Sequence, residues 1–381
     1  MENRLTLFIR SLFGTNDIIP LHQPYFDEQE KQYLSQTIDS TYVSSIGKFV
    51  EQLEENIAKY MEIEHAIATV NGTSALHMAL FLTGVEKNTE VLTQSLTFVA
   101  TCNAISYCSA IPVFIDVDIE TLSLCPRNLL SFLEEFGEIR EDGYCWNRTT
   151  GNRISACLPM HTFGFPAKIQ EIIKVCSEYN IPVVEDSAES LGTSRQNQYT
   201  GTFGNFGILS FNGNKIITTG GGGMILTNDS KFAIKAKHLT TTAKEKSPWH
   251  FFHNEIGFNY RMPNLNAALG LAQLAKLPEI LEKKRNLASE YHNWGERYGV
   301  RFVVETKDSC ANYWLNVLIA DDHIQRDRIL KKTNENNIMT RPAWVPMHLL
   351  PIYQHSFKQN LRNTEWLFNR LVSVPSSPVS V

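Results

Sequence analysis

From residue 64 onward the chain alternates short apolar runs with helical patterns, and that alternation restricts the fold more than any other feature. Ala66–Val70, Glu90–Thr93, Pro112–Ile115, Ala156–Met160 and Pro182–Glu185 read as buried strands. Between them Ser74–Leu82, Val99–Ser109, Pro126–Glu135 and Ala167–Tyr179 carry helical spacing. Strands joined through helices return in the same direction, so the sheet is mainly parallel and covered on both faces. Ligands of such sheets bind beyond the carboxyl ends of the strands, which makes the residues just after each strand the candidates for chemistry.

After Phe206 the rhythm shortens to strands at Ile208–Phe211 and Gly223–Leu226. A helix near Pro263 and a long charged one at Pro278–Tyr298 lead into a smaller unit. There Asn312–Ala320 reads as a strand and Asp322–Asn336 as a helix. The boundary falls near residue 277, giving a first unit of residues 1–277, N-terminal segment included, and a second of 278–381. Gly143–Ile154 has the pattern of an inserted hairpin turning at Thr150-Gly151-Asn152. Val374–Val381, rich in Pro, Ser and Val, reads as an extended surface segment. Leu5–Phe13 is apolar but broken by Arg10 and lacks a cleavage site, so it is read as neither a signal peptide nor a membrane span.

Thirty-five basic residues against 40 acidic ones give a net charge of −5, which argues against nucleic acid or an anionic membrane as the main partner. An anionic ligand must then be captured by a local site. The seven cysteines form no CxxC pair, so neither a disulfide framework nor a metal site is expected, and a reducing cytoplasm is the simplest setting.

Three segments carry chemistry. Asn71-Gly72-Thr73-Ser74-Ala75 opens a helix, where free backbone N–H groups and hydroxyls suit a phosphate, though they also suit an ordinary cap. The strand through Val184 ends in Glu185-Asp186; a carboxylate there can bind a metal, act as a base or pair with a cationic ring nitrogen. Pyridoxal phosphate (PLP) chemistry needs the third, because an ionised Asp keeps the ring protonated and electron-accepting. Lys215 is the one charged residue between Gln198 and Asp229, in surroundings that favour an uncharged amine. The glycines Gly220–Gly223 match neither a Walker loop nor a dinucleotide fingerprint and let the backbone pass close to a ligand. Phe98 suits ring stacking or core. His161 suits ligand contact or structure. Asn259 and Arg261 suit phosphate oxygens or a surface loop. Arg341 and His348, around a tryptophan, suit a nucleotide sugar or a proline-stiffened connection.

In their order and spacing these segments resemble the DegT/DnrJ/StrS family of sugar-nucleotide aminotransferases, over roughly residues 20–376. The motifs are Gly72-Thr73-Ser74, Glu185-Asp186-Ser187-Ala188, Ser210 with Lys215, and Asn259-Tyr260-Arg261-Met262. The resemblance implies a fold type I (aspartate-aminotransferase-like) α/β enzyme, with a large domain and a smaller α+β C-terminal domain. It implies Lys215 as the Schiff-base lysine, Asp186 as partner of the ring nitrogen, and Ala188 and Phe98 on the two ring faces. Gly72, Thr73, Ser74 and Ser210 would hold the cofactor phosphate, with Glu189 beside the ring. Asn259 would come from a neighbouring subunit, implying a homodimer with shared active sites. Lys48, His161, Arg261, Arg341 and His348 look like substrate contacts.

Glu189, three residues beyond the Asp, is similar to perosamine synthases and other C4-aminating members. Asp39–Lys48 and Phe211-Asn-Gly-Asn-Lys215 look most like the branch associated with legionaminic-acid or bacillosamine-type sugars. The activity implied is transfer of an amino group from L-glutamate, through pyridoxamine phosphate, to C4 of a nucleotide-linked 4-keto-6-deoxyhexose for surface-glycan or nonulosonic-acid synthesis. A UDP-2-acetamido-2,6-dideoxy-4-keto-hexose is expected, with GDP-4-keto-6-deoxymannose as the alternative. A PLP-binding regulatory protein without turnover is the rival from another class.

Overall fold

The computed structural model describes residues 1–379. Seven strands build the central sheet: β1 (His65–Thr69), β2 (Glu90–Gln94), β3 (Ile111–Ile115), β4 (Ile154–Leu158), β5 (Val184–Asp186), β6 (Phe206–Ser210) and β7 (Gly223–Thr227). β2 pairs in parallel with β3 and β4, and β6 in parallel with β5, whereas β7 runs antiparallel between β6 and β1. Parallel bridges from Cys157 to Val183 and from Met160 to Asp186 join the two halves. The order is therefore β3-β2-β4-β5-β6-β7-β1, the mainly parallel sheet expected, with one reversed strand.

The strands are apolar on both faces because each face is covered. Val91, Ala156 and Val184 pack with Leu76, Ala104 and Ala236 of the helices Gly72–Leu82, Val99–Tyr107 and Ser230–Thr240. Their neighbours Leu92, Cys157 and Val183 point to the opposite face, against Phe132 and Ile172 of Pro126–Phe136 and Ile169–Glu178. This period-two division fixes register, since a one-residue slip would exchange the two sets. The carboxyl ends of β4, β5 and β6 thus lie side by side on one edge.

A second sheet has the order Arg301–Phe302, Asn316–Ile319, Leu371–Val374, Arg341–Pro342, antiparallel throughout. A long helix runs from Leu277 to Tyr298. The N-terminal helix Glu2–Phe13 departs from the sequence reading, which grouped it with residues 1–277. Its Leu5 and Ile9 pack with Leu287, Tyr291, Trp294 and Leu318, on the C-terminal elements. The spacing reveals an apolar stripe but not its partner.

Two other expectations are corrected. Pro375, Ser376 and Ser377 are buried rather than on the surface; Ser376 N–H donates to Leu21 O (2.7 Å), and the buried Lys284 donates to the carbonyls of Ser376 and Trp314. Residues 380–381 of that tail lie outside the described residues. The turn at Gly151 forms, but Cys145–Asn147 takes its strand partner upstream, at Gly137–Ile139, and meets Arg153 through a single bridge.

Candidate active site

The edge where β4, β5 and β6 end carries a cavity of about 150 Å3. Eight of the residues singled out in the sequence line it: Gly72, Thr73, Phe98, Asp186, Ala188, Glu189, Ser210 and Lys215. They come from the ends of β1, β2, β5 and β6, which all point the same way in the sheet. The helix that starts at Gly72 is capped by Asn71, whose Oδ1 accepts from Ser74 N–H (2.8 Å). A Cβ at Gly72 would stand 2.9 Å from Ser210 Cβ, so the absence of a side chain lets the helix start close on the Ser210 end of β6. Gly223 likewise passes against the Asn71 backbone, where a Cβ would meet its oxygen at 2.6 Å, while Gly221 and Gly222 line the cavity.

Asp186 is buried at the floor. Its Oδ2 accepts from Thr101 Oγ1 (2.8 Å) and its Oδ1 from Ala188 N–H (3.2 Å). Burial raises its pKa, and the Thr101 hydroxyl, the Ala188 amide and Lys215 oppose that rise. Each carboxylate oxygen keeps a lone pair for a further donor. Lys215 Nζ stands 3.4 Å from Glu189 Oε1 and 4.2 Å from the centroid of the Trp314 ring, with 12% of the side chain exposed. Thr101 and Trp314 were not anticipated. Trp314 lies about a hundred residues beyond Lys215 in the chain, and no local pattern marks either residue.

Glu189 is buried, its Oε2 accepting from Phe163 N–H (2.9 Å), and burial pushes its pKa up to about 7 against the pull of Lys215. The folded chain then holds this proton up to about pH 7, the unfolded chain only to its ordinary 4.5. That contribution to stability is fully present below pH 4.5 and is lost as pH rises through 7. Relative to Glu189→Gln, the cofactor-free protein should lose about 3 kcal/mol across that span, at about 1.4 kcal/mol per pH unit. Urea unfolding at a series of pH values checks this, and parallel curves for the two proteins would contradict it.

The remaining predicted residues do not line the cavity. His161 is wholly buried below it. Its Nδ1 accepts from Ala167 N–H (3.0 Å), which puts the ring proton on Nε2, facing Glu185 Oε2 at 3.0 Å. Glu185 also accepts from the backbone N–H groups of Gly201, Phe203 and Gly204 (2.7–2.9 Å), so this pair anchors the turn before β6 rather than touching a ligand. Glu185→Ala strands those donors; a loss of about 3 kcal/mol in urea unfolding is expected. A loss within measurement error would mean that water replaces the carboxylate.

His348 is also buried, its Nδ1 2.7 Å from Ser95 Oγ. Ser74 is buried in the first turn of its helix, its amide held by Asn71. Lys48 and Arg341 are exposed, and Arg341 lines a neighbouring cavity. Arg261 bridges Thr69 beside the Gly72 turn, and its buried Nε has no partner among the described residues. Asn259 is exposed.

These features fit pyridoxal phosphate: a buried carboxylate with free lone pairs, one amine, a half-exposed Phe98, and a glycine-lined helix start beside two hydroxyls. With the reversed strand β7 in a parallel sheet, they define the class as a fold type I PLP-dependent aminotransferase. The chain belongs to the DegT/DnrJ/EryC1/StrS aminotransferase family, whose model matches residues 24–379. That family depends on pyridoxal phosphate. EpsN of Bacillus subtilis (strain 168) is 39% identical over 363 residues, covering 94% of this chain and 90% of EpsN. GDP-perosamine synthase of Escherichia coli O157:H7 is 32% identical over 364 residues, covering 94% of this chain and 93% of that protein. The crystal structure of the aminotransferase TlmJ from Streptoalloteichus hindustanus superposes with a TM-score of 0.85 at 25% identity, covering 94% of this chain and 93% of TlmJ.

Proposed function

We propose that this aminotransferase moves an amino group from L-glutamate to C4 of a nucleotide-linked 4-keto-6-deoxyhexose. The observation that carries the reading is the meeting of one ε-amine, Lys215, with the buried carboxylate of Asp186 at the floor of the cavity at the strand ends. When bound, the cofactor supplies an aldehyde that captures amines and a cationic ring that accepts electrons released at the substrate carbon.

The chain's own residues do the rest. Asp186, held by Thr101 and Ala188, keeps a proton on the ring nitrogen. Lys215 would hold the cofactor through its Nζ, and the same Nζ is the group placed to take and return the substrate proton. Glu189 at 3.4 Å is the acceptor beside that amine. Thr73, Ser210 and the helix start at Gly72 orient the phosphate. Phe98 and Ala188 bound the two ring faces.

A homodimer completes the site in this reading. Asn259 is exposed and away from its own cavity. Nearby Trp249, Phe251 and Ile256 are 76%, 84% and 87% exposed, an apolar face of the kind that marks a protein interface. A setting in the cytoplasm fits the seven free cysteines. No helix among the described residues is long and apolar enough to cross a membrane.

For the sugar, the likeness to the bacillosamine and legionaminic-acid branch supports a UDP-2-acetamido-2,6-dideoxy-4-keto-hexose. The 32% identity to a GDP-perosamine synthase supports GDP-4-keto-6-deoxymannose as the second reading. Either product would serve surface-glycan or nonulosonic-acid synthesis. Incubating the pyridoxamine form with a panel of UDP- and GDP-linked 4-keto sugars, and following return of the visible band, decides between them. No return with any 4-keto sugar would refute the proposal.

A further inference from the structure

We infer that Trp314 is the positioning residue for the cofactor-binding amine: a single indole holds Lys215 both by the backbone just before it and by its Nζ. This deepens the proposed function and rests on its assignment of Lys215. A lysine carries its amine on a flexible four-carbon stem, so other groups must fix where Nζ stands. The turn that bears Lys215 is poorly placed to do so. Asn212, Gly213 and Asn214 are exposed, and a Cβ on Gly213 would meet nothing within 4 Å. Lys215 N–H donates to Asn212 O (3.0 Å), and Asn212 Nδ2 to Asn214 Oδ1 (3.3 Å), both inside the turn.

Among the described residues one hydrogen bond ties Asn212–Asn214 to another segment. Trp314 Nε1–H donates to Asn214 O at 2.6 Å. The face of the same ring stands 4.2 Å from Lys215 Nζ, where its negative quadrupole attracts the cationic amine. Glu189 Oε1, at 3.4 Å, is the other group beside Nζ. A phenylalanine would keep the ring face but lose the donor, and a leucine would lose both. The grip on backbone and amine together therefore needs an indole.

The indole can act as a fixed reference because its own backbone is held. Trp314 is buried; its N–H donates to Asn312 Oδ1 (2.8 Å), and its carbonyl accepts from the buried Lys284 Nζ (3.1 Å). Asn312 in turn reaches the strand-end edge, its Nδ2 donating to Glu189 O and Leu191 O, both at 2.9 Å. Leu315 N–H donates to Phe163 O (3.3 Å), and Phe163 N–H holds Glu189 Oε2. Tyr313, between Asn312 and Trp314, has a φ of 48°, a left-handed conformation that is costly for a bulky side chain. Such a residue persists only where its surroundings over-determine the backbone, and these bonds do so. One strained segment, Asn312–Leu315, thus reaches both Lys215 and Glu189.

The test compares two forms of the cofactor on the cofactor-free full chain. Capture of pyridoxal phosphate joins Nζ to the aldehyde carbon with loss of water, and its rate is read from the visible band. Pyridoxamine phosphate already carries an amine at that carbon and binds without bonding the lysine; its affinity is read by equilibrium dialysis. Trp314→Leu should slow capture about 10- to 100-fold, the scale of a misplacement of about 1 Å, while changing the affinity for pyridoxamine phosphate less than about twofold. Trp314→Phe, which keeps the ring face and most of the volume, should fall between wild type and the leucine variant, and it guards against a folding defect in the latter. Equal weakening of both cofactor forms would assign Trp314 to packing and overturn the inference, as would unchanged capture in the two variants. Borohydride trapping in wild type is read separately. A label away from Lys215 would sink the proposed mechanism and this inference with it, whereas with the label on Lys215 the comparison of the two cofactor forms judges Trp314 alone.

Discussion

Lys215→Ala is expected to lose both half-reactions by at least about 10⁴-fold, since it removes at once the amine that bonds the cofactor and the group that moves the proton. The visible absorbance of lysine-bound pyridoxal phosphate should vanish with it. The fold should survive. Glu189, the buried neighbour left behind, is held above the ordinary carboxylate range by burial, and Lys215 only opposes that rise. Without the lysine Glu189 simply stays protonated to higher pH, so no uncompensated buried charge appears at neutrality. Borohydride trapping and peptide mapping give the direct check. The label should fall on the Lys215 peptide in wild type and be absent from the variant. Turnover by the variant, or a label on another lysine, would remove the basis of the mechanism.

Asp186→Asn should keep the shape of the floor yet lower both half-reactions by about 10² to 10³-fold, the scale on which a single electrostatic partner of a developing charge is felt. The amide still accepts from Thr101 or Ala188, but it cannot hold a proton on the ring nitrogen. Stability separates this role from a packing role. In the cofactor-free protein burial disfavours the Asp186 carboxylate, so the asparagine variant should melt no lower than wild type. The gain in melting temperature on adding cofactor should shrink, because the variant binds it more weakly. Unchanged kinetics, or equal destabilisation with and without cofactor, would count against the ring-nitrogen role.

What could be read in the chain was local and periodic. The alternation after residue 64 determined the parallel sheet, because a strand–helix–strand connection leaves the chain running one way. Asp186 at a strand end, the capped turn at Gly72 and the isolated Lys215 were legible because each sits within a few residues of a strand whose carboxyl end must face the ligand edge. The reading failed where the partner was remote. His161 passes for a ligand contact in sequence, but it lies beneath the edge against Glu185, since the bridges between β4 and β5 turn it inward. The N-terminal stripe of Leu5 and Ile9 and the buried tail at Ser376, bonded to Leu21, found neighbours hundreds of residues away.

The tertiary structure alone decided which side chains surround the reactive pair: Thr101 under Asp186, and Trp314 and Glu189 against Lys215. The physical reason is one of range. Strand direction and helix caps are set by steric and hydrogen-bonding rules that act over a few residues, whereas the wall of a cavity is set by packing between segments that chain order does not bring together.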